Sequence, residues 1–280
     1  MSEAQWSSLR GQAGTLAVCD WPAPEGRARG TVLIVHGLGE HVGRYDAVAL
    51  QLRAWGFAVR GHDHQGHGRS DGARGRLHTD DGLLQDLDTV IDATRAHPVR
   101  GQGPLVLLGH SMGGLVAAHA VGTGRRAVDA LLLSSPAFGA WTTPWQKLLL
   151  ATLPRWLPDL TVGNGLDPSW VARDLAAVAA YRADPLVHDR ISARLGGWIA
   201  RTGPATLSLA GQWPVPSLLL YAGQDRLVRP DACAAFAHQA PNAVLQAQCF
   251  EAMYHEVFND PERAQVFDVL RRWLDARLPT

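Results

Sequence analysis

Ser111 stands at the centre of Gly109-His110-Ser111-Met112-Gly113, a Gly-x-Ser-x-Gly pattern with an apolar run before it (105–108) and a stretch of helical character after it (115–121). Strand, sharp turn and helix are the context in which such a serine becomes a nucleophile. Flanking glycines let the chain cross tightly, and the serine sits strained at the apex with its hydroxyl lifted clear. The same turn would aim the Met112 amide, at a positively polarised helix N-terminus, toward an oxyanion forming beside Ser111. A serine needs a base to take its proton, and the base needs an acid to orient it. Asp225 follows the strand-like run 215–221, and His255 precedes the last helical stretch. A second oxyanion donor belongs in a loop after an early strand. His36-Gly37-Leu38-Gly39-Glu40 follows the run 31–35, so the Leu38 amide is assigned as partner to that of Met112.

These residues need elements to hold them. Residues 16–18 read as a short strand and 31–35 as a stronger one, apolar on both faces. A helix is expected at 47–55, with Val48, Leu52 and Trp55 at helical spacing and Gly56 as its stop. A strand begins at 57–59 and runs into a polar, glycine-rich loop at 62–75. Asp80 is the expected cap of a helix carrying Leu83, Leu84, Leu87, Val90 and Ile91. A further strand follows at 130–133. Strand and helix in alternation imply a parallel sheet with helices on both faces.

At Ser135-Pro136 the rhythm changes. Residues 138–212 lack a strand pattern, and six of the ten tryptophans fall between Trp141 and Trp213, about twice their share by length. The alternation resumes at 215–221, with a helix at 232–238, a strand at 243–248 and a closing helix at 262–278. The expected architecture is α/β: a core of residues 1–136 and 213–280, with a helical cap inserted at 137–212. Ser111, Asp225 and His255 then arrive in the chain order of α/β-hydrolases, each in a loop after a strand.

Composition narrows the function. With 46% hydrophobic residues the chain can bury a sizeable core, and 26 basic against 26 acidic residues leave no field that would draw nucleic acid. Cys19, Cys233 and Cys249 are odd in number and scattered, which suits a reducing compartment. Residues 1–14 carry no apolar signal-peptide core, and no run approaches 18 apolar residues, so a cytoplasmic protein is expected. Gly37-Leu38-Gly39 does not begin a dinucleotide fingerprint, because Val42 stands where its third glycine is needed. His62-Asp63-His64-Gln65-Gly66-His67 raises a metal-dependent hydrolase as an alternative. Its spacing differs from the His-x-His-x-Asp-His of metallo-hydrolases, and a turn packed beneath the site, held by its own polar side chains, is the preferred reading.

Three stretches carry a family resemblance: His36-Gly37-Leu38-Gly39-Glu40-His41-x-x-Arg44-Tyr45, His62-Asp63-His64-x-Gly66-His67-Gly68-x-Ser70-Asp71-Gly72, and Gly109-His110-Ser111-Met112-Gly113-Gly114. With Tyr181-x-x-Asp184-Pro185-Leu186 and Gly223-x-Asp225-x-Leu227-Val228, they resemble the monoacylglycerol lipases, a lysophospholipase-like group of the α/β-hydrolase superfamily. The likeness runs from about residue 14 onward and is weakest at 141–175. It implies the triad Ser111, Asp225 and His255, the oxyanion hole of Leu38 and Met112, and hydrolysis of carboxylic esters such as monoacylglycerols without metal or organic cofactor. It also implies that Glu40, Arg44 and Tyr181 line the site of the glycerol leaving group. Phe258 stands where the best-known members have a second histidine, which removes one polar contact to glycerol.

The cap bears on substrate. Leu149, Leu153 and Trp156 belong to an apolar stretch, 145–157, of which part packs on the core and part is expected to line an acyl tunnel. Other apolar residues there would form a rim that meets lipid aggregates, making the protein peripheral to membrane. Lysophospholipase and general carboxylesterase activities would use the same triad, and a hydrolase-fold ligand receptor is the reading outside enzymes.

Overall fold

The computed structural model describes residues 4–21, 28–97 and 103–278. Eight strands form one sheet: β1 (Gln5–Arg10), β2 (Thr15–Trp21), β3 (Thr31–Val35), β4 (Ala58–His62), β5 (Leu105–His110), β6 (Ala130–Ser134), and two late strands, Ser217–Ala222 and Leu245–Phe250. Those two are numbered β9 and β10, because a small hairpin of β7 (Thr161–Gly163) and β8 (Arg190–Ser192) lies between. The spatial order is β1-β2-β4-β3-β5-β6-β9-β10. Pairing is parallel from β4 through to β10, and antiparallel where β2 joins β4 and β1 joins β2.

Period-two alternation decides which side chains face which layer. Leu33, Val35, Leu105, Leu107, Leu131 and Leu133 point into one apolar cluster. It is covered by α2 (Gly82–Ala96), α3 (Ser111–Gly122) and α7 (Pro230–Gln239), whose buried residues include Leu87, Leu115 and Phe236. Their neighbours Val32, Ile34, Val106, Leu108, Ala130 and Leu132 point into a second cluster under α1 (Asp46–Ala54) and α8 (Arg263–Arg277). Both faces of the central strands are thus buried, as their unbroken apolar runs require.

Between β6 and β9 lie α4 (Pro144–Trp156), α5 (Leu175–Ala183) and α6 (Ala193–Leu207), together with the β7–β8 hairpin. Thr143 caps α4 in a reciprocal box with Gln146, and Pro144 opens its first turn. This segment is tied to the loop after β3: the His188 amide donates to the Gly39 carbonyl (2.8 Å), His41 Nε2 meets Asp184 Oδ2 at 2.8 Å, and the Tyr181 ring stacks on Arg44.

Several expectations are corrected. β1 had no counterpart in the sequence reading, since Gln5–Arg10 is an exposed edge strand without an apolar face. Residues 138–212 do contain strands, the three-residue β7 and β8, too short to show alternation. Asp80 does not cap α2: Asp81 precedes the helix, without a side-chain cap bond, and Asp80 instead pairs with Arg194 and Arg201 at 3.2 Å each. No helix among the described residues is long and apolar enough to cross a membrane.

Candidate active site

β5 delivers Ser111 at its C-terminal end, directly into the first turn of α3. Ser111 has φ +52°, a left-handed conformation that costs a non-glycine residue on the order of 1–3 kcal/mol. Close packing imposes it. A Cβ on Gly113 would lie 2.1 Å from the Val35 carbonyl oxygen and 2.3 Å from that of His36, so the start of α3 presses on the end of β3 with no room for a side chain. The Ala137 amide holds the turn from outside by donating to the Ser111 carbonyl (3.0 Å). Met112, on the first turn of α3, belongs to the residues whose amides lack an intrahelical partner.

Asp225 and His255 lie in the loops after β9 and β10. The Asp225 carboxylate is buried. Its Oδ1 accepts from the amides of Leu227 and Val228 (2.8 and 2.9 Å), and its Oδ2 sits 2.6 Å from His255 Nδ1. Nδ1 therefore carries the proton, and Nε2 is left as the acceptor. Burial disfavours the imidazolium of His255, but the carboxylate of Asp225, with those of Glu256 and Glu40 beyond it, outweighs that cost, and the group ends above the ordinary histidine value. His110, packed against His255 with ring centroids 4.7 Å apart, is taken down to about 4 by burial and by the neighbouring His255.

Ser111 stands where two cavities meet. One, of about 230 Å³, is lined by Gly37, Leu38, Glu40, Tyr181, His255 and Glu256, together with Arg182, Asp184 and His188. The other, of about 370 Å³, is walled by apolar side chains, among them Leu149, Leu150, Leu153, Val162, Ile191 and Ile199. Leu38 and Ser111 belong to both, and Met112 lines the second.

The remaining expected site residues divide. Leu149 and Leu153 line the apolar cavity, and Glu40 and Tyr181 the polar one. Trp156 lines neither. It is the last residue of α4, past the turns that roof the apolar cavity, and is 78% exposed. Arg44 stands one layer behind the polar cavity. Its guanidinium meets Glu40 Oε2 at 2.5 Å and both oxygens of Glu256 at 2.7 and 2.8 Å, and it lies 4.6 Å from the Tyr181 ring centroid. Phe258 packs against Phe267 in the core instead of facing the polar cavity.

Polar side chains of the histidine-rich loop hold its own turn, the Ser70 hydroxyl donating to the Asp63 carbonyl at 2.6 Å. Asp63 accepts from the amides of Val42 and Arg69 (2.8 and 2.7 Å), and His36 Nε2 accepts from the His64 amide. Among the described residues, no three His, Cys, Asp or Glu side chains converge to hold a metal ion. The sequence reading missed His110 and Glu256, the immediate neighbours of Ser111 and His255. Their only signal was adjacency to those two residues.

A family model described as serine aminopeptidase, S33, matches residues 26–262. The chain belongs to that family. It is a serine hydrolase with the α/β-hydrolase fold. It is 32% identical to a monoacylglycerol lipase of Mycolicibacterium smegmatis over 97% of both chains. It is 30% identical to the phospholipase YtpA of Bacillus subtilis, over 91% of this chain and 98% of that one. Among solved structures it superposes on the monoacylglycerol lipase of Paleococcus ferrophilus with a TM-score of 0.85 and 32% identity, over 94% of this chain and 99% of the other. The resemblance to monoacylglycerol lipases thus extends from the motifs to nearly the full length.

Proposed function

We propose that this hydrolase cleaves monoacylglycerols through an acyl-enzyme on Ser111. The observation that carries the reading is the position of Ser111 at the junction of one polar and one apolar cavity, a division that matches an ester with a polyol on one side and an acyl chain on the other. His255 Nε2 takes the Ser111 proton as the hydroxyl attacks the ester carbonyl, and Asp225 holds the imidazole in the tautomer that makes this feasible. The oxyanion is stabilised by the amides of Leu38 and Met112, each donor contributing about 3 kcal/mol in sites of this kind. His255 then protonates the departing alcohol, which leaves through the polar cavity. Water, activated by the same imidazole, releases the fatty acid.

The acyl chain lies along Leu149 and Leu153, and each methylene buried there contributes about 0.8 kcal/mol. Trp141, Trp145, Leu148, Trp156, Leu157 and Leu175, all exposed on the segment over the core, form the rim that meets lipid aggregates. A lysophospholipid substrate is the second reading. The likeness to a phospholipase supports it, as does Arg182, a cation on the wall of the polar cavity.

A panel of monoacylglycerols, lysophospholipids and short-chain esters, read as kcat/KM, tests the proposal. Preference for monoacylglycerols is expected, and preference for lysophospholipids of the same acyl chain would transfer the assignment to the second reading. Failure of the wild type to hydrolyse any ester would overturn both.

A further inference from the structure

Four consecutive residues of the segment inserted between β6 and β9, Trp170 to Arg173, touch both loops that carry the acid and the base. On their strand side those loops are joined directly: the Gly223 amide donates to the Phe250 carbonyl (3.0 Å) and the Gln224 amide to that of Met253 (3.1 Å). On the other side the inserted segment makes the connection. The Arg226 guanidinium lies 3.7 Å from the centroid of the Trp170 ring, and the Tyr254 ring lies 4.9 Å from it with the planes inclined by 51°. Arg226 follows Asp225 in sequence, and Tyr254 precedes His255. The Val171 carbonyl accepts from the Glu256 amide at 2.7 Å, and Val171 and Ala172 are buried in one small apolar cluster with Leu227. Arg173 then forks on the buried Asp260 carboxylate, its Nε and Nη2 at 2.8 and 2.7 Å, which fixes distance and angle together.

We propose that Trp170 is a positioning residue that holds the Asp225 loop against the His255 loop through Arg226 and Tyr254. The inference rests on the acyl-enzyme reading given above. The 2.6 Å contact between Asp225 Oδ2 and His255 Nδ1 joins two separate loops, so its length and angle follow any shift of one loop against the other. Misplacing a reacting group by about 1 Å can cost on the order of a hundredfold in rate, so a neighbour that fixes both loops contributes to catalysis without touching substrate. Trp170 lines neither cavity, which separates it from recognition of the acyl chain or the alcohol. Its two ring partners come one from each catalytic loop, and that arrangement makes the inserted segment part of the scaffold of the triad as well as a roof over the substrate.

Trp170→Ala removes the ring that both loops share. Expected is a fall in kcat of about tenfold on a monoacylglycerol and equally on the p-nitrophenyl ester of the same fatty acid, with KM within about twofold. The rate of labelling by a small fluorophosphonate, which needs the triad but no bound alcohol, should fall in parallel. Trp170→Phe keeps an aromatic face toward both partners and should return kcat to within about threefold of wild type. A loss confined to one ester, a change confined to KM, a Phe variant as slow as the Ala variant, or a lowered urea midpoint with kcat and labelling rate unchanged would overturn the proposal. Arg226→Ala breaks the same contact from the Asp225 side and serves if Trp170→Ala does not fold. Equal losses of kcat on both esters, about threefold, are expected of it, and an unchanged kcat contradicts positioning. Wild type assayed alongside separates the two claims: inactive wild type removes the acyl-enzyme reading, whereas active wild type with unaffected variants removes only this inference.

Discussion

His110 rests its ring against that of His255 at 4.7 Å, with the planes inclined by 53°, and its Nδ1 lies 3.1 Å from Ser134 Oγ. Since burial keeps His110 neutral down to about 4, the surface beside His255 carries no competing positive charge when His255 takes up its proton. The base of the site is thus flanked by one neutral ring and by the carboxylate of Asp225, with those of Glu256 and Glu40 further out.

The pH dependence follows from that pairing. His255 must be neutral to accept the Ser111 proton, and its folded value lies above the ordinary one near 6.5. The kcat/KM of the wild type should therefore rise with pH along a limb centred above 6.5. Asp225→Asn should lower kcat by roughly 10⁴-fold, because an amide in that place lets Nδ1 lose its proton-bearing role. It should also shift the acid limb downward. A pH–rate series on both proteins checks the sign, and a wild-type limb centred well below 6.5 would contradict it.

Acid stability is set by other histidines. Burial holds His36, His64 and His67 well below the ordinary value, and His62 and His188 at about 4. Between those folded values and the unfolded value near 6.5, the unfolded chain binds more protons. Stability is therefore fully present above about 6.5 and declines as pH falls, by up to about 1.4 kcal/mol per pH unit for each such group. Both ring nitrogens of His62 lack a hydrogen-bond partner among the described residues, so His62→Leu should fold and should flatten this decline by up to one proton. Urea midpoints measured from pH 7 to 4.5 test it; identical slopes for the two proteins would refute the assignment.

Packing at the nucleophile turn predicts a severe backbone effect. Gly113→Ala places a methyl group against two carbonyl oxygens that belong to the sheet, and neither can move aside cheaply. Loss of about 3 kcal/mol or more is expected, read as a lowered urea midpoint or as insoluble protein. A variant with wild-type stability and activity would show that the strand and helix are not in such contact.

The apolar cavity predicts chain-length selection. Leu153→Trp fills space beside Leu149 and Ile199. Its kcat/KM on long-chain esters should fall more than tenfold relative to that on butyrate esters, since each excluded methylene forfeits about 0.8 kcal/mol. An unchanged ratio across a series of acyl lengths would place the acyl chain elsewhere.

Much of this was legible because its causes are local. The glycines around Ser111, the apolar runs of β3, β5, β6 and β9, and the loops holding Asp225 and His255 each carry their signal within a few residues. What was not legible depends on partners far along the chain. Glu256 takes its meaning from Arg44, Asp80 is drawn from the start of α2 by two arginines of α6, and β1 exists through pairing with β2. Trp156 has the helical spacing of Leu149 and Leu153, and periodicity alone does not reveal that the helix runs out past the cavity before reaching it.

Everything mechanistic rests on the hydroxyl of Ser111, and intact-protein mass spectrometry after reaction with a fluorophosphonate probe interrogates it most directly. Wild type should gain one adduct, mapped to the peptide containing residue 111, and lose esterase activity in parallel. Ser111→Ala should stay folded, gain no adduct and turn over no ester. A Ser111→Ala protein that still hydrolyses esters at the wild-type rate, or an adduct mapped to a different residue, would contradict the account.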